Sequence, residues 1–534
     1  MDDELIDRLR DDLESADFRV PAVRGLLGAE ADEARLRGVF APARRAVERA
    51  TRGRSPLAAL VRLFLLGDQL SPREVGAALP RLGPRGAETL GLVGGSPGGA
   101  LEAALSLNPV EISDAREARE RHWWILSDLD DQLRRGPARP DHVMGVGGAT
   151  RSLIAQLPPD HAGAALDLGT GCGIVALHLS LRGPVVATDL SERALVFARA
   201  NARLNRAGTG AGIDFRSGDL FGPVAGERFA LIASNPPFVI TPRTGSDGRR
   251  YEYRDGGMVG DRLVQEVVRR GYEHLAEGGT LLCLANWESH WGDDGLGRVE
   301  GWVEALGDRT AAWVIERERL SPERYAETWA RDGGARPGAE DFERLMRSWL
   351  DDFASRRVVA VGLGSIRIRR LARTDSTGSE RYPERAGGAP VRLERAGGAL
   401  SGRAGGPLSA IFDAAIEVSA MSDAEMLERR WLLSDGVGEL REHVPGQEQP
   451  SRITFSAEVG LARRLEADTL LAAALGACDG ELSMREISGA LAEILGIDED
   501  DLRRALLADF RDAVWLGLLT PAPPSGTHDT RLEP

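Results

Sequence analysis

The chain has 534 residues, with 67 basic and 82 acidic side chains and a net charge of −15, and every one of its basic residues is an arginine. The absence of lysine excludes a Walker-type phosphate lysine, a Schiff-base amine and a lysine general base, and the acidic balance weakens bulk attraction to nucleic acid. Three widely spaced cysteines (Cys172, Cys283, Cys478) exclude a disulfide framework and a zinc cluster, and no apolar run approaches the roughly 20 residues of a membrane span. A cytoplasmic, multidomain protein is expected, with no membrane and no metal in its chemistry.

Residues 1–137 read as a helical domain. Apolar residues recur at helical spacing in ELIDRLRDDLESADF and SPLAALVRLFLLGDQL, and Ser71 is a natural N-cap for the segment that follows it. The strand-like ALEAALSLNPVEISD and RHWWILSDL come next, so a small wing, as in a winged helix, fits the end of this domain.

Over 138–372 the pattern changes to short apolar strands alternating with helices. Strands are expected at AALDLG, PVVATDL, IDFRSGD, FALIASN, GTLLCLAN, AAWVIERE and RVVAVGLGSIRIRRL. This alternation predicts an α/β fold: a Rossmann-like, doubly wound, mainly parallel sheet. A helical insertion, 321–355, separates the last two strands and reads as a brace in preference to a lid. Residues 373–407, rich in Gly, Ser and Arg, read as a linker with one edge strand at PVRLER. Residues 408–534 follow as a winged-helix-like domain.

The chemistry begins at ALDLGTGCGIVALHLS. An apolar strand leads directly into Asp167, Gly169, Gly171 and Gly173, and a helix follows. Glycines permit positive φ and close approach of a ligand to the backbone, and a helix start supplies N–H groups. The next strand ends on Asp189, where an acid can accept hydrogen bonds from a ribose diol. The third ends at Asp219, placed to receive an adenine amino group.

The fourth strand runs into Asn235, Pro236, Pro237 and Phe238. An amide or exocyclic amine nitrogen is a poor nucleophile because its lone pair is delocalised. The Asn235 side-chain oxygen and the Pro236 carbonyl can accept its two N–H groups, Phe238 can stack on its plane, and the prolines preset the geometry.

The Asp-x-Gly-x-Gly-x-Gly loop resembles motif I of class I S-adenosylmethionine-dependent methyltransferases, over roughly residues 140–372. The resemblance implies S-adenosyl-L-methionine as cofactor. Asp167 and the glycine loop would hold its methionine part, Asp189 its ribose and Asp219 its adenine. Leu190 and Leu220 would sandwich the ring, and Gly145–Thr150 would close over the cofactor. Asn-Pro-Pro-Phe resembles the signature of HemK-like enzymes, which methylate glutamine side chains of release factors, and of enzymes acting on RNA or DNA amino groups. The stretch YRDGGMVGD strengthens the HemK-like link and sets Asp255, Gly256 and Gly257 beside the substrate pocket. The full architecture looks like that of large actinobacterial HemK-like methyltransferases.

These features imply a seven-stranded methyltransferase core and N-methylation of a planar nitrogen. A protein glutamine is the leading acceptor; an exocyclic amine of RNA or DNA, or a small molecule or peptide, is the alternative. Helix SMREISGALAEILG, with Arg485 against two glutamates, argues against DNA readout and for a protein partner or domain packing. The tryptophans after the core motifs (Trp287, Trp291, Trp302, Trp313, Trp329 and Trp349) read as core packing in preference to a substrate cage; Trp287 and Trp291, with Asn286, are the ones placed to face the site if any does, and His290 is a candidate base that reads first as structural.

Overall fold

The computed structural model describes residues 1–51, 55–113, 120–134, 136, 138–206, 212–242, 256–372, 389–398, 400, 403–457 and 460–523. Its central sheet is built from β1 (Ala165–Leu168), β2 (Val185–Asp189), β3 (Ile213–Ser217), β4 (Phe229–Ser234), β5 (Leu275–His290), β6 (Thr310–Leu320), β7 (Val358–Arg370) and β8 (Val391–Arg395). The spatial order is 3-2-1-4-5-7-6-8. Strands β3, β2, β1, β4 and β5 pair in parallel, and β7 is antiparallel to both β5 and β6. This is the Rossmann-like fold of class I methyltransferases, extended by β8, which pairs in parallel with β6. The strand order reverses between β1 and β4, and in such sheets the ligand crevice opens at the carboxyl ends beside that reversal.

Local sequence explains the central strands. All four residues of β1 are buried, as expected for a strand covered on both faces. Helix Ile174–Leu179 is buried at every position, and helix Glu192–Leu204 is capped by Ser191, whose side chain accepts the Ala194 N–H.

The N-terminal region contributes short helices between Asp3 and Thr89 and an antiparallel pair, Leu105–Ser113 with Glu120–Asp128. The second strand of that pair meets helix Glu192–Leu204 through two asparagines. Asn205 accepts the Trp124 N–H at 2.9 Å and donates to its carbonyl at 2.8 Å, while Asn201 does the same for Leu126 at 2.8 and 2.9 Å. One buried apolar cluster runs from Ile6 through Trp124 to Leu177 and Leu284. Packing is therefore continuous across residue 137, the boundary expected from composition.

Part of the expected linker forms regular structure, including the edge strand expected at PVRLER. Residues 373–388 lie outside the described residues, but 391–395 form β8 and Gly405 opens helix Gly405–Ala420. That glycine packs so closely on residue 157 that a Cβ would sit 1.8 Å from the Leu157 carbonyl oxygen. The remaining chain places helices Thr469–Gly476, Met484–Leu495 and Glu499–Trp515 around strands Arg430–Leu433, Asp479–Ser483 and Leu519–Pro521. A separate three-stranded meander, Val437–Glu442, Arg452–Ala457 and Arg464–Ala467, adds to what the sequence pattern predicts.

The insertion forms two helices, Pro322–Asp332 and Glu340–Ser355, between β6 and β7. It packs against Val239 and Ile240, just beyond β4, in a cluster that includes Tyr325, Trp349 and Phe353.

Candidate active site

The loop after β1 is shaped from beneath by Asp167. This carboxylate is buried, and its Oδ2 accepts the Thr170 hydroxyl at 2.6 Å and the Ala176 N–H at 2.9 Å. One oxygen thus ties the loop to the helix that follows. Burial pushes the Asp167 carboxyl up to about 7, against the opposing pull of those two hydrogen bonds.

The three glycines have positive φ (+78°, +55° and +87°) but different surroundings. A Cβ on Gly169 or Gly171 would meet nothing within 4 Å, whereas one on Gly173 would lie 3.0 Å from Ala198. The first two border open space; the third lets two helices approach.

Asp189, at the end of β2, closes the other side. Its Oδ2 accepts the Gly171 N–H at 2.8 Å and its Oδ1 the Ser191 N–H at 2.9 Å. Burial raises its pKa and the backbone hydrogen bonds pull it back down. A carboxylate has about four acceptor directions; the backbone N–H groups of Gly171, Ser191 and Leu190 engage three, which leaves one for a ligand. Beside it Leu190 is 65% exposed, an apolar side chain held in the open. Asp219 is exposed at the β3 turn; the Gly218 N–H donates to the Asp189 carbonyl at 3.0 Å and the Gly222 N–H to the Asp219 carbonyl at 2.9 Å. Leu220, with φ +45°, is half-buried against the core and so differs from Leu190. Open space beside two glycines, free acceptor capacity on Asp189 and Asp219, and the bare Leu190 make a lining that fits a nucleoside with a diol and a planar ring. S-adenosylmethionine has those groups.

Asn235 follows β4, whose last residue, Ser234, donates through its hydroxyl to the Leu168 carbonyl at 2.9 Å. The Asn235 Nδ2 donates to Thr150 Oγ1 at 3.2 Å, while its Oδ1 is buried with no partner among the described residues. The Pro236 carbonyl accepts the Phe238 N–H at 2.7 Å. Phe238 is half-buried where three apolar clusters meet. The structure thus brings Asp167, the glycines, Asp189, Asp219 and Asn235–Phe238 to the carboxyl edge of adjacent strands.

Other expected site residues lie elsewhere. Trp287 is wholly buried, with its indole N–H on Glu316 at 2.9 Å, because β5 continues past Asn286 to His290 and β7 pairs along it. Trp291 is 80% exposed beyond that strand. Asn286 donates to the Tyr325 hydroxyl at 2.8 Å. His290 pairs with Glu288 at 3.0 Å, and Glu288 is also held by Arg356, so the imidazole belongs to an ion-pair cluster. Asp255 lies outside the described residues, and Gly256 packs against Leu263. Sequence reasoning missed the hold of Thr150 on Asn235 and the grip of Tyr325 and Trp349 on Ile240; both join residues far apart in the chain.

Residues 144–293 match the model of the methyltransferase small domain, and residues 15–104 match a domain of unknown function, DUF7059. The release factor glutamine methyltransferase of Geobacter sulfurreducens is 36% identical over 131 residues, covering 23% of this chain and 45% of that protein. The ribosomal protein uL3 glutamine methyltransferase of Xanthomonas campestris is 35% identical over 166 residues, covering 29% and 53%. Among solved structures, the YcgJ protein of Bacillus subtilis aligns at 16% identity with a TM-score of 0.26, over 41% of this chain and 97% of its own. The chain spans about half the length of these two curated relatives, and its similarity to them is that of a methyltransferase domain.

Proposed function

We propose that this chain is an S-adenosylmethionine-dependent N-methyltransferase whose acceptor is the side-chain amide of a glutamine in a protein of the translation apparatus. The observation that carries the reading is Asn235 Oδ1, a buried acceptor beside the glycine crevice without a donor among the described residues. The names of the two relatives, which act on a release factor and on ribosomal protein uL3, support the choice of acceptor. Arg485, the basic residue of helix Met484–Leu495, is engaged by Glu428 at 2.5 Å, which weakens the case for a nucleic acid.

In this reading Gly169 and Gly171 admit the cofactor to the backbone, Asp189 accepts a ribose hydroxyl, Asp219 the adenine amino group, and Leu190 covers the ring with Leu220 behind. Asp167 and Gly173 act from beneath, by holding the loop. When bound, S-adenosylmethionine supplies a methyl group on a cationic sulfur that leaves as a neutral thioether. Asn235 Oδ1 accepts one N–H of the acceptor amide. The Pro236 carbonyl, which already accepts the Phe238 N–H, has a second lone pair for the other. Holding both protons turns the nitrogen lone pair out of conjugation and toward the methyl. Phe238 would lie against the amide plane; the N–C bond would form as the methyl–sulfur bond breaks, and the cationic nitrogen would then give one proton to water.

The test is transfer of tritiated methyl from S-adenosylmethionine to unmethylated bacterial release factor, to ribosomal protein uL3 and to total RNA, with Asn235→Ala alongside. Label at a glutamine that the variant cannot produce is expected. Label in RNA would overturn the acceptor class, and no label despite cofactor binding would overturn the enzyme reading.

A further inference from the structure

The two edges of the Asn235 carboxamide are in different situations. Nδ2 is held by Thr150 Oγ1 at 3.2 Å, and Oδ1 is buried with no partner among the described residues. A buried acceptor without a donor costs stability, so the amide must be held against rotating toward another partner. We infer that Thr150 is a positioning residue that fixes the plane of this carboxamide, so that one of its edges faces the acceptor nitrogen. The inference rests on the N-methylation reading above.

Thr150 is well placed for this. It lies in the first turn of helix Gly148–Gln156, and its β-branched side chain has few rotamers. The far end of that helix is locked to β7 and to the C-terminal region. Arg367, fully buried, donates to the Gln156 carbonyl at 2.6 Å and to the Ser409 hydroxyl at 3.2 Å. Ser365 donates to Gln156 Oε1 at 2.8 Å, and Gly405 packs on the Leu157 carbonyl. These contacts anchor the end of the helix that carries Thr150.

A hydroxyl can accept from an amide nitrogen or donate to an amide oxygen, so Thr150 holds the plane of Asn235 in either polarity. The acceptor chooses between them. An acceptor N–H facing Nδ2 would set donor against donor, and facing Oδ1 it finds its partner. Thr150 thus limits the search to two states, of which substrate selects one.

The experiment compares Thr150→Val and Thr150→Ser with wild type. It measures kcat and KM on whichever of release factor or uL3 the wild type labels, S-adenosylhomocysteine affinity by calorimetry, and the Asn235 side-chain ¹⁵N–H resonances. Those resonances are identified in asparagine-labelled protein by their loss in Asn235→Ala. Thr150→Val is expected to lower kcat about 10- to 100-fold, the scale of a misplaced contact, with S-adenosylhomocysteine affinity unchanged. It should also shift the Asn235 resonances and speed their exchange with water, and Thr150→Ser should restore each. Wild-type kcat in Thr150→Val would overturn the inference, as would a parallel loss of S-adenosylhomocysteine affinity, which would make Thr150 a cofactor contact. If wild type labels neither protein, the acceptor reading fails separately and the resonances still decide: unmoved in Thr150→Val, they overturn the positioning role.

Discussion

The Tyr325 hydroxyl accepts the Ile240 N–H at 3.0 Å across 85 residues of sequence. It also accepts from Asn286 Nδ2 at 2.8 Å, while the Trp349 indole donates to the Ile240 carbonyl at 2.8 Å. The two helices of the insertion therefore grip both backbone groups of a residue two positions beyond Phe238. Tyr325→Phe keeps the ring but leaves two buried donors without an acceptor, at a cost of about 1–3 kcal/mol each before relaxation. Urea unfolding should show that loss, and kcat should fall as the turn after Phe238 loosens. An unchanged midpoint and rate would mean the insertion is dispensable to the site.

The glycine loop separates two kinds of effect. Gly171→Ala places a methyl in open space, and its strain is that of a left-handed L-residue, about 1–2 kcal/mol. It should fold and lose cofactor affinity, because the methyl occupies the crevice. Gly173→Ala adds a contact 3.0 Å from Ala198 to the same strain, so its unfolding midpoint should drop further. Calorimetry with S-adenosylhomocysteine and thermal unfolding on both variants would separate the roles. Equal stability losses would show that the helix contact at residue 173 yields freely.

Asp167 predicts a pH dependence of unusual sign. Burial raises its carboxyl from the ordinary 3.8 to about 7, so between those values the folded state holds a proton that the unfolded chain has released. Its contribution is then undiminished below about pH 4 and is lost as pH rises to about 7, at up to about 1.4 kcal/mol per pH unit. Both hydrogen bonds fall on Oδ2, so the side-chain carbonyl that Asp167→Asn puts in its place can accept both without titrating. The stability of Asp167→Asn relative to wild type should therefore climb from pH 4 to 7 in urea titrations. A flat difference would show that the carboxylate is ionised throughout.

How much of this was legible depended on distance along the chain. Asp167, Asp189, Asp219 and Asn235 each lie within two residues of the carboxyl end of a strand, so local spacing brings them to one edge of the sheet. Thr150 with Asn235, and Tyr325 with Ile240, depend on tertiary placement that no local pattern encodes. Strand β8 is five residues in a Gly- and Arg-rich stretch, legible as an edge strand but not as one that pairs with β6. Trp287 is core, the reading favoured for the tryptophans as a group; what the sequence did not show is that β7 pairs along Glu288–His290 and carries β5 onward past Asn286.

Asn201 supports the last prediction. Its carboxamide is fully buried and makes three hydrogen bonds: it accepts the Leu126 N–H at 2.8 Å and donates to the Leu126 carbonyl at 2.9 Å and the Cys172 carbonyl at 2.8 Å. One side chain joins the N-terminal β-pair to the glycine loop. Asn201→Ala would leave three buried backbone groups unpaired, each costing about 1–3 kcal/mol if no water replaces the amide. Asn205, half-buried, serves Trp124 in the same way but makes no bond to the loop. Amide exchange at residues 124 and 126 should therefore quicken in both variants, at the position each asparagine covers. S-adenosylhomocysteine affinity should fall in Asn201→Ala and hold in Asn205→Ala. Equal affinities in the two would mean that the N-terminal region stabilises the fold without reaching the cofactor loop.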